Sequence, residues 1–147
     1  MKKLILIVEH LPVTLMVVSL QLLINSDANY YYIIGIFIFG WLIDADHLID
    51  YFYYLLKCKK KLSISEFFSG SYFRENYLVI ILGHSIELSL IIFFTGLIFD
   101  DMGLCLVSLA HFLHLIQDLY SNKVNFFGYS LIYRLKNKFL LSKICTD

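Results

Sequence analysis

Long apolar runs alternate with short polar or charged breaks along this chain. Runs over residues 4–23, 30–56, 76–99 and 102–120 each have the length of a membrane-spanning helix, about 20 residues or more. The breaks are Asn25 to Asn29, the basic stretch Lys57 to Lys61, and the acidic pair Asp100-Asp101. The first run follows Met1-Lys2-Lys3, as a signal peptide would. Its length and its internal Glu9, His10 and Pro12 instead predict a retained first helix. In the second run, tyrosines gather at both ends, Tyr30 to Tyr32 and Tyr51 to Tyr54, as aromatic belts do at membrane interfaces. Ser63-Ile64-Ser65-Glu66 has capping-box spacing and predicts a short helix start. The aromatic residues that follow, Phe67, Phe68, Tyr72 and Phe73, form a segment too short to span. It is expected to lie at the interface or to fold over a site as a lid.

The predicted fold is therefore all-α: a four-transmembrane-helix bundle with a C-terminal amphipathic helix. Two parts are expected, a transmembrane domain over residues 1–123 and a basic amphipathic cytoplasmic tail over 124–147. The tail helix, over 129–144, sets Leu131, Ile132, Leu135, Phe139 and Leu140 among Arg134, Lys136, Lys138 and Lys143. That pattern suits an anionic membrane surface. Basic residues before the first run, between the second and third, and after the fourth predict both termini on the cytoplasmic side.

Composition sharpens this picture. In 147 residues, 59% are hydrophobic and the mean hydropathy is +0.73. An ordinary soluble domain is about 45–50% apolar. Net charge is zero, so the whole-chain charge says nothing about partners, and no nucleic-acid signal is evident. Cys58, Cys105 and Cys145 are far apart and form no metal-binding or disulfide pattern. Nothing in the sequence fixes an oligomeric state.

The polar residues inside the runs carry the chemistry. The segment Asp44-Ala45-Asp46-His47 lies within the second run and is followed by Asp50. The third run holds His84 with Glu87 three residues on. The fourth holds His111, His114 and Asp118 on one helical face, within about 60°. An acid in the middle of a membrane helix costs roughly 2.5–3.5 kcal/mol on insertion scales. A bound cation offsets such a cost. A lone buried histidine is more often a packed core residue, and a degenerate polar core without activity is the plain alternative.

Depth adds weight to a shared site. His10 lies seven residues beyond Lys3, His47 ten before Lys57, His84 ten beyond Arg74 and His114 nine before Lys123. At 1.5 Å per residue all four sit about 10–15 Å inside the cytoplasmic boundary. Helices of alternating direction have no reason to agree on depth unless these side chains meet. The expected metal ligands are His10, Asp44, Asp46, His47, His84, His111, His114 and Asp118. Glu87 or Asp46 is expected as general base. Imidazole with carboxylate suits zinc first, with manganese or iron as alternatives, and one or two ions.

These residues also carry a resemblance. The chain resembles the LexA-binding, inner-membrane-associated, metal-dependent hydrolase family. The elements are His10, Asp44-Ala45-Asp46-His47, His84-Ser85, and His114 to Asp118 followed by Leu119-Tyr120-Ser121. The chain departs from the family pattern at Ile43, where the family has Pro, and at Gly83, where it has Thr. The family's His-Arg-Gly segment upstream is missing. The resemblance implies an integral protein of the cytoplasmic membrane of a prokaryote. It implies metal-activated hydrolysis with membrane lipids as surroundings. A fainter similarity to all-helical zinc-dependent phospholipases C, in the helix-borne His and Asp set, suggests a phosphoester or phospholipid substrate. A membrane transporter using the same His/Asp cluster for metal ions or protons is the alternative. A haem protein is a third reading, disfavoured by the surplus of carboxylates.

Overall fold

The computed structural model describes residues 9–24, 29–122 and 124–145. The start of the first run, the polar break over 25–28 and Lys123 lie outside the described residues. Among those described, the chain is all-helical, with two isolated β-bridges and no strand.

Helices α1 (Leu11–Ile24), α2 (Tyr30–Gly40), α6 (Ile86–Ile98) and α7 (Met102–Ser121) form the bundle. Helix α7 is central and packs against the other three. Small residues let the helices close up. A Cβ on Gly35 would stand 2.9 Å from Val107, and one on Gly40 would stand 2.8 Å from the Thr14 hydroxyl. Val17, Ile36, Leu106, Val107 and Ala110 fill the core between α1, α2 and α7. At the other end, Asp101 caps α7 by accepting from Leu104 N at 3.1 Å and takes a hydrogen bond from the Tyr32 hydroxyl at 2.7 Å.

The expected second helix is not continuous. It breaks after Gly40, passes through a 3-10 turn (Leu42–Asp46) and resumes as α3 (His47–Cys58), with a bend of 59°. The expected third helix begins ten residues later than its apolar pattern suggests. Ser85 is the reason: its hydroxyl accepts from Leu88 N at 3.3 Å and caps α6 there. Residues 77–85 are irregular, entered through Tyr77 at φ 58°. Among the described residues, Met102–Ser121 is the single helix long and apolar enough to cross a membrane. The bent pair passes only as one unit, and Leu11–Ile24 and Ile86–Ile98 are shorter apolar helices.

Two short helices, α4 (Ile64–Ser69) and α5 (Ser71–Asn76), follow the basic break. Ser63 caps α4 through Glu66 N. Only half of the expected capping box forms. The Glu66 carboxylate accepts instead from the Tyr51 and Tyr54 hydroxyls and from Lys60. Tyr51, Tyr54, Leu55 and Tyr72 make a second core, with Phe67 and Phe73 against it.

The tail departs most from expectation. In place of one helix over 129–144 there is a 3-10 turn (Phe126–Tyr129), then α8 (Leu131–Lys136) and α9 (Leu141–Ile144). Positive φ at Lys138 and Phe139 separates the last two. The tail folds back onto the irregular segment. Leu78 bridges to Leu140, Val79 N donates to Phe139 O, Leu141 N donates to Tyr77 O, and Ile144 packs on Val79 and Ile81. A continuous amphipathic helix could not supply these partners to a backbone that lacks helical bonds of its own.

Candidate metal site

Four donor atoms converge where the α2–α3 break meets α6 and α7. Asp44 comes from the 3-10 turn, His84 from the irregular segment just before the Ser85 cap, and His114 and Asp118 from successive turns of α7. His84 Nε2 lies 3.1 Å from Asp44 Oδ1, 3.1 Å from His114 Nε2 and 3.5 Å from Asp118 Oδ2. His114 Nε2 lies 3.5 Å from Asp44 Oδ1 and 3.6 Å from Asp118 Oδ2. A tetrahedral zinc with ligands at 2.0–2.1 Å has donor–donor edges of about 3.3 Å. These five distances, 3.1–3.6 Å, bracket that value, so this group could hold a metal ion.

Proton bookkeeping points the same way. His114 Nδ1 lies 3.2 Å from the Gly40 carbonyl, which can only accept. The proton assigned from this partner sits on Nδ1, and Nε2 faces the centre with its lone pair. His84 Nδ1 stands 2.9 Å from Asp46 Oδ1, although the two are not aligned as an in-line hydrogen bond. Asp46 is itself held by its other oxygen, which accepts from Gly83 N at 2.8 Å and His84 N at 3.3 Å. A carboxylate beside the outer nitrogen of a ligating imidazole is the usual way such a ring is oriented. Gly83 is required here by close approach: a Cβ would meet Asp46 Oδ2 and Ile43 Cδ1, each at 2.8 Å.

His10 adds a flank. Its ring stacks on His114 with centroids 3.9 Å apart, and its Nε2 lies 3.4 Å from Asp118 Oδ1. Gln117 sets its orientation. That amide donates to Glu9 O at 3.3 Å, so its oxygen faces His10 Nδ1 at 3.1 Å as acceptor. His47 is the more open member. Its Nε2 lies 3.9 Å from Asp44 Oδ1, its side chain is 26% exposed, and Phe73 meets its ring edge-on at 5.6 Å. One donor atom each from Asp46, His47 and His84 also falls within 4.8 Å of the others, a second group that shares His84 with the first. Phe73 thus brings the aromatic segment against the site.

The structure brings together His10, Asp44, Asp46, His47, His84, His114 and Asp118. It places two of the expected residues elsewhere. His111, fully buried, has Nδ1 2.9 Å from the Ser89 hydroxyl and packs edge-on against Phe39. It lies one turn of α7 before His114, on the side toward α6. Glu87 turns away to the tail. Its carboxylate accepts from the Ser130 hydroxyl at 2.5 Å, Leu131 N at 2.8 Å and Ile132 N at 3.1 Å, anchoring the start of α8. A carboxylate occupied by three donors in this way is a structural tie, which removes the case for Glu87 as general base.

Two contributors were missed from the sequence. Gln117 carries a readable signal, since it follows His114 by three on the same helical face. Arg134 carries none, being one cation in a basic tail. It is 1% exposed and donates to the carbonyls of Ile81 and His84. It therefore clamps the segment that presents His84. Compared with protein-family models, with curated proteins and with solved structures, the chain matches none.

Proposed function

We propose that this chain is an integral membrane metal-dependent hydrolase acting on a phosphoester at the cytoplasmic leaflet. The observation that carries the reading is the donor set Asp44, His84, His114 and Asp118, whose spacing suits a tetrahedral divalent cation. Zinc fits that donor chemistry best. When bound, such a cation would supply Lewis acidity and a nucleophile from water near neutral pH once one of the two carboxylates yields its place or a fifth position is taken up. The chain's own residues divide the remaining work. Asp46 orients His84, and Gln117 orients His10 against Asp118. With Asp46 and Glu87 both engaged, His47 is the group in place to carry a proton, since it is part-exposed and lines both cavities beside the site.

A membrane setting is supported by the outward faces of the bundle. Leu15, Met16, Leu20 and Leu23 on α1 and Ile91, Phe94, Leu97 and Ile98 on α6 are exposed. Contiguous apolar surface on this scale marks contact with lipid or a partner. The irregular segment 77–85 also suits membrane depth, because its backbone groups are met by Asp46, Arg134 and the tail. Four embedded helices with cytoplasmic termini complete the reading.

The test is metal content and phosphoester hydrolysis by the full chain in lipid nanodiscs. Wild type is expected to retain a divalent cation and to release product. Protein with both His84→Ala and His114→Ala is expected to do neither. A wild type that folds and binds no divalent cation overturns the proposal.

A further inference from the structure

Two cavities open on the donor set from different sides, and their linings differ in kind. One, of about 500 Å³, is lined by Arg74 and Arg134 together with His47, His84 and Asp118. The other, of about 560 Å³, is walled by Trp41, Leu42, Leu48, Phe67 and Phe68 around the same metal-site edge. Both fall within the usual size of small-molecule sites, about 300–1,000 Å³. They share His47, Gly70, Phe73, Asp118 and Asn122, so they meet beside the donor set.

The first cavity has the electrostatics of an anion site. Arg134 is nine-tenths buried and more, yet forms no ion pair among the described residues. Its two terminal nitrogens donate to backbone carbonyls, its Nε has no hydrogen-bond partner, and Asp46 and Glu87 act on it only through space, without contact. Arg74, at the rim, also makes no ion pair among the described residues. A buried cation without a contacting counter-charge is costly, and an anionic ligand at its free Nε side supplies that contact. Guanidinium groups match phosphate oxygens in shape as well as charge. The second cavity offers aromatic and aliphatic walls and suits a hydrocarbon chain.

From this pairing we propose that the substrate is a single amphiphile that fills both cavities. Its phosphoryl group lies against Arg74 and Arg134, its alkyl chain lies along Phe67 and Phe68, and the ester bond sits at the junction over His47 and Asp118. This rests on the hydrolase reading and adds to it a substrate class and the residues that select it.

The test is binding to the metal-loaded full chain held in amphipol, measured by titration calorimetry. The probes are non-hydrolysable alkylphosphonates of two to twelve carbons, with dodecyltrimethylammonium as the opposite-charge control. Affinity is expected to rise with chain length by up to about fourfold per methylene, the ~0.8 kcal/mol of a buried CH2, and then to level off. Arg74→Gln is expected to weaken every phosphonate by about tenfold or more, as for loss of a charge-assisted hydrogen bond. Phe68→Ala is expected to flatten the chain-length slope and leave ethylphosphonate unchanged. Both residues are exposed, so both variants should fold. Affinities independent of chain length, or equal binding of the quaternary ammonium probe, overturn the proposal. Metal content of the same samples separates the two ideas. A metal-free protein that still selects long phosphonates keeps the amphiphile and rejects the hydrolase. A metal-loaded protein indifferent to chain length does the reverse.

Discussion

His84 Nε2 and His114 Nε2 face each other at 3.1 Å across a buried centre. They come from positions 30 residues apart, one from an irregular segment and one from mid-helix. Two lone-pair nitrogens repel at that distance unless a cation or a proton stands between them. With Asp44 and Asp118 oxygens on the same centre, a divalent cation balances the charge better than a single proton.

Metal content is thus expected to depend on these two rings and not on every histidine of α7. His114→Ala should lower affinity by more than the 10–100-fold typical of losing a group behind a ligand. His111→Asn should keep its metal, because His111 is tied to Ser89 and Phe39. Elemental analysis after dialysis against graded chelator distinguishes them. Equal loss from both variants would place His111 in the site after all.

Asp46 and Gly83 should behave as a pair. Asp46→Asn keeps the hydrogen bonds from Gly83 N and His84 N but removes charge beside His84 Nδ1. A 10–100-fold loss of metal affinity is expected. Gly83→Ala pushes a methyl into Asp46 and should produce a loss of the same order. Competition with a fluorescent zinc chelator measures both. An alanine variant of unchanged affinity would mean that Asp46 is not held where the structure has it.

Glu87 tests whether the tail is part of the domain. Glu87→Ala strands Ser130, Leu131 and Ile132 donors at the start of α8. It should cost about 1–3 kcal/mol in tail docking, the usual price of unsatisfied donors. Hydrogen exchange over 130–145 is expected to rise, with metal content little changed. Loss of hydrolysis at full docking would instead restore Glu87 as a chemical group.

Acid should loosen the α3–α5 corner first. Lys60 lies 2.6 Å from Glu75 and 3.2 Å from Glu66. The Lys60 ammonium and the Tyr54 hydroxyl hold the Glu75 carboxyl below its usual range. At Glu66 desolvation pushes upward, but donors from Tyr54, Lys60 and Tyr51 outweigh it and the net shift is also downward. A lowered carboxylate pKa contributes stability that is present above the unfolded value, about 4.3. It is lost as pH falls through the folded value. Exchange over 60–76, corrected for intrinsic rates, should therefore rise below about pH 4.3. Glu75→Gln should show the looser state already at pH 7. A corner whose protection does not change between pH 6 and 3 would remove this ion cluster from its stability.

By itself the amino-acid sequence determined the helical character and most of the site. Apolar runs need no partner to declare a helix, and acids and imidazoles inside them stand out because burying them is costly. Asp44, His47, His84, His114 and Asp118 were legible for that reason, as were the Ser63 cap and the course of α7. Tertiary structure decided where those runs break and what the breaks are for. The Gly40–Trp41 bend and the irregular 77–85 segment depend on backbone groups finding partners far away, Gly40 O at His114 and the segment at Asp46, Arg134 and Leu141. Nothing local distinguishes Arg134 from its basic neighbours, or Glu87 from an acid at the site. Hydrophobic periodicity reports which residues are buried, but only the folded chain settles which buried polar groups satisfy one another.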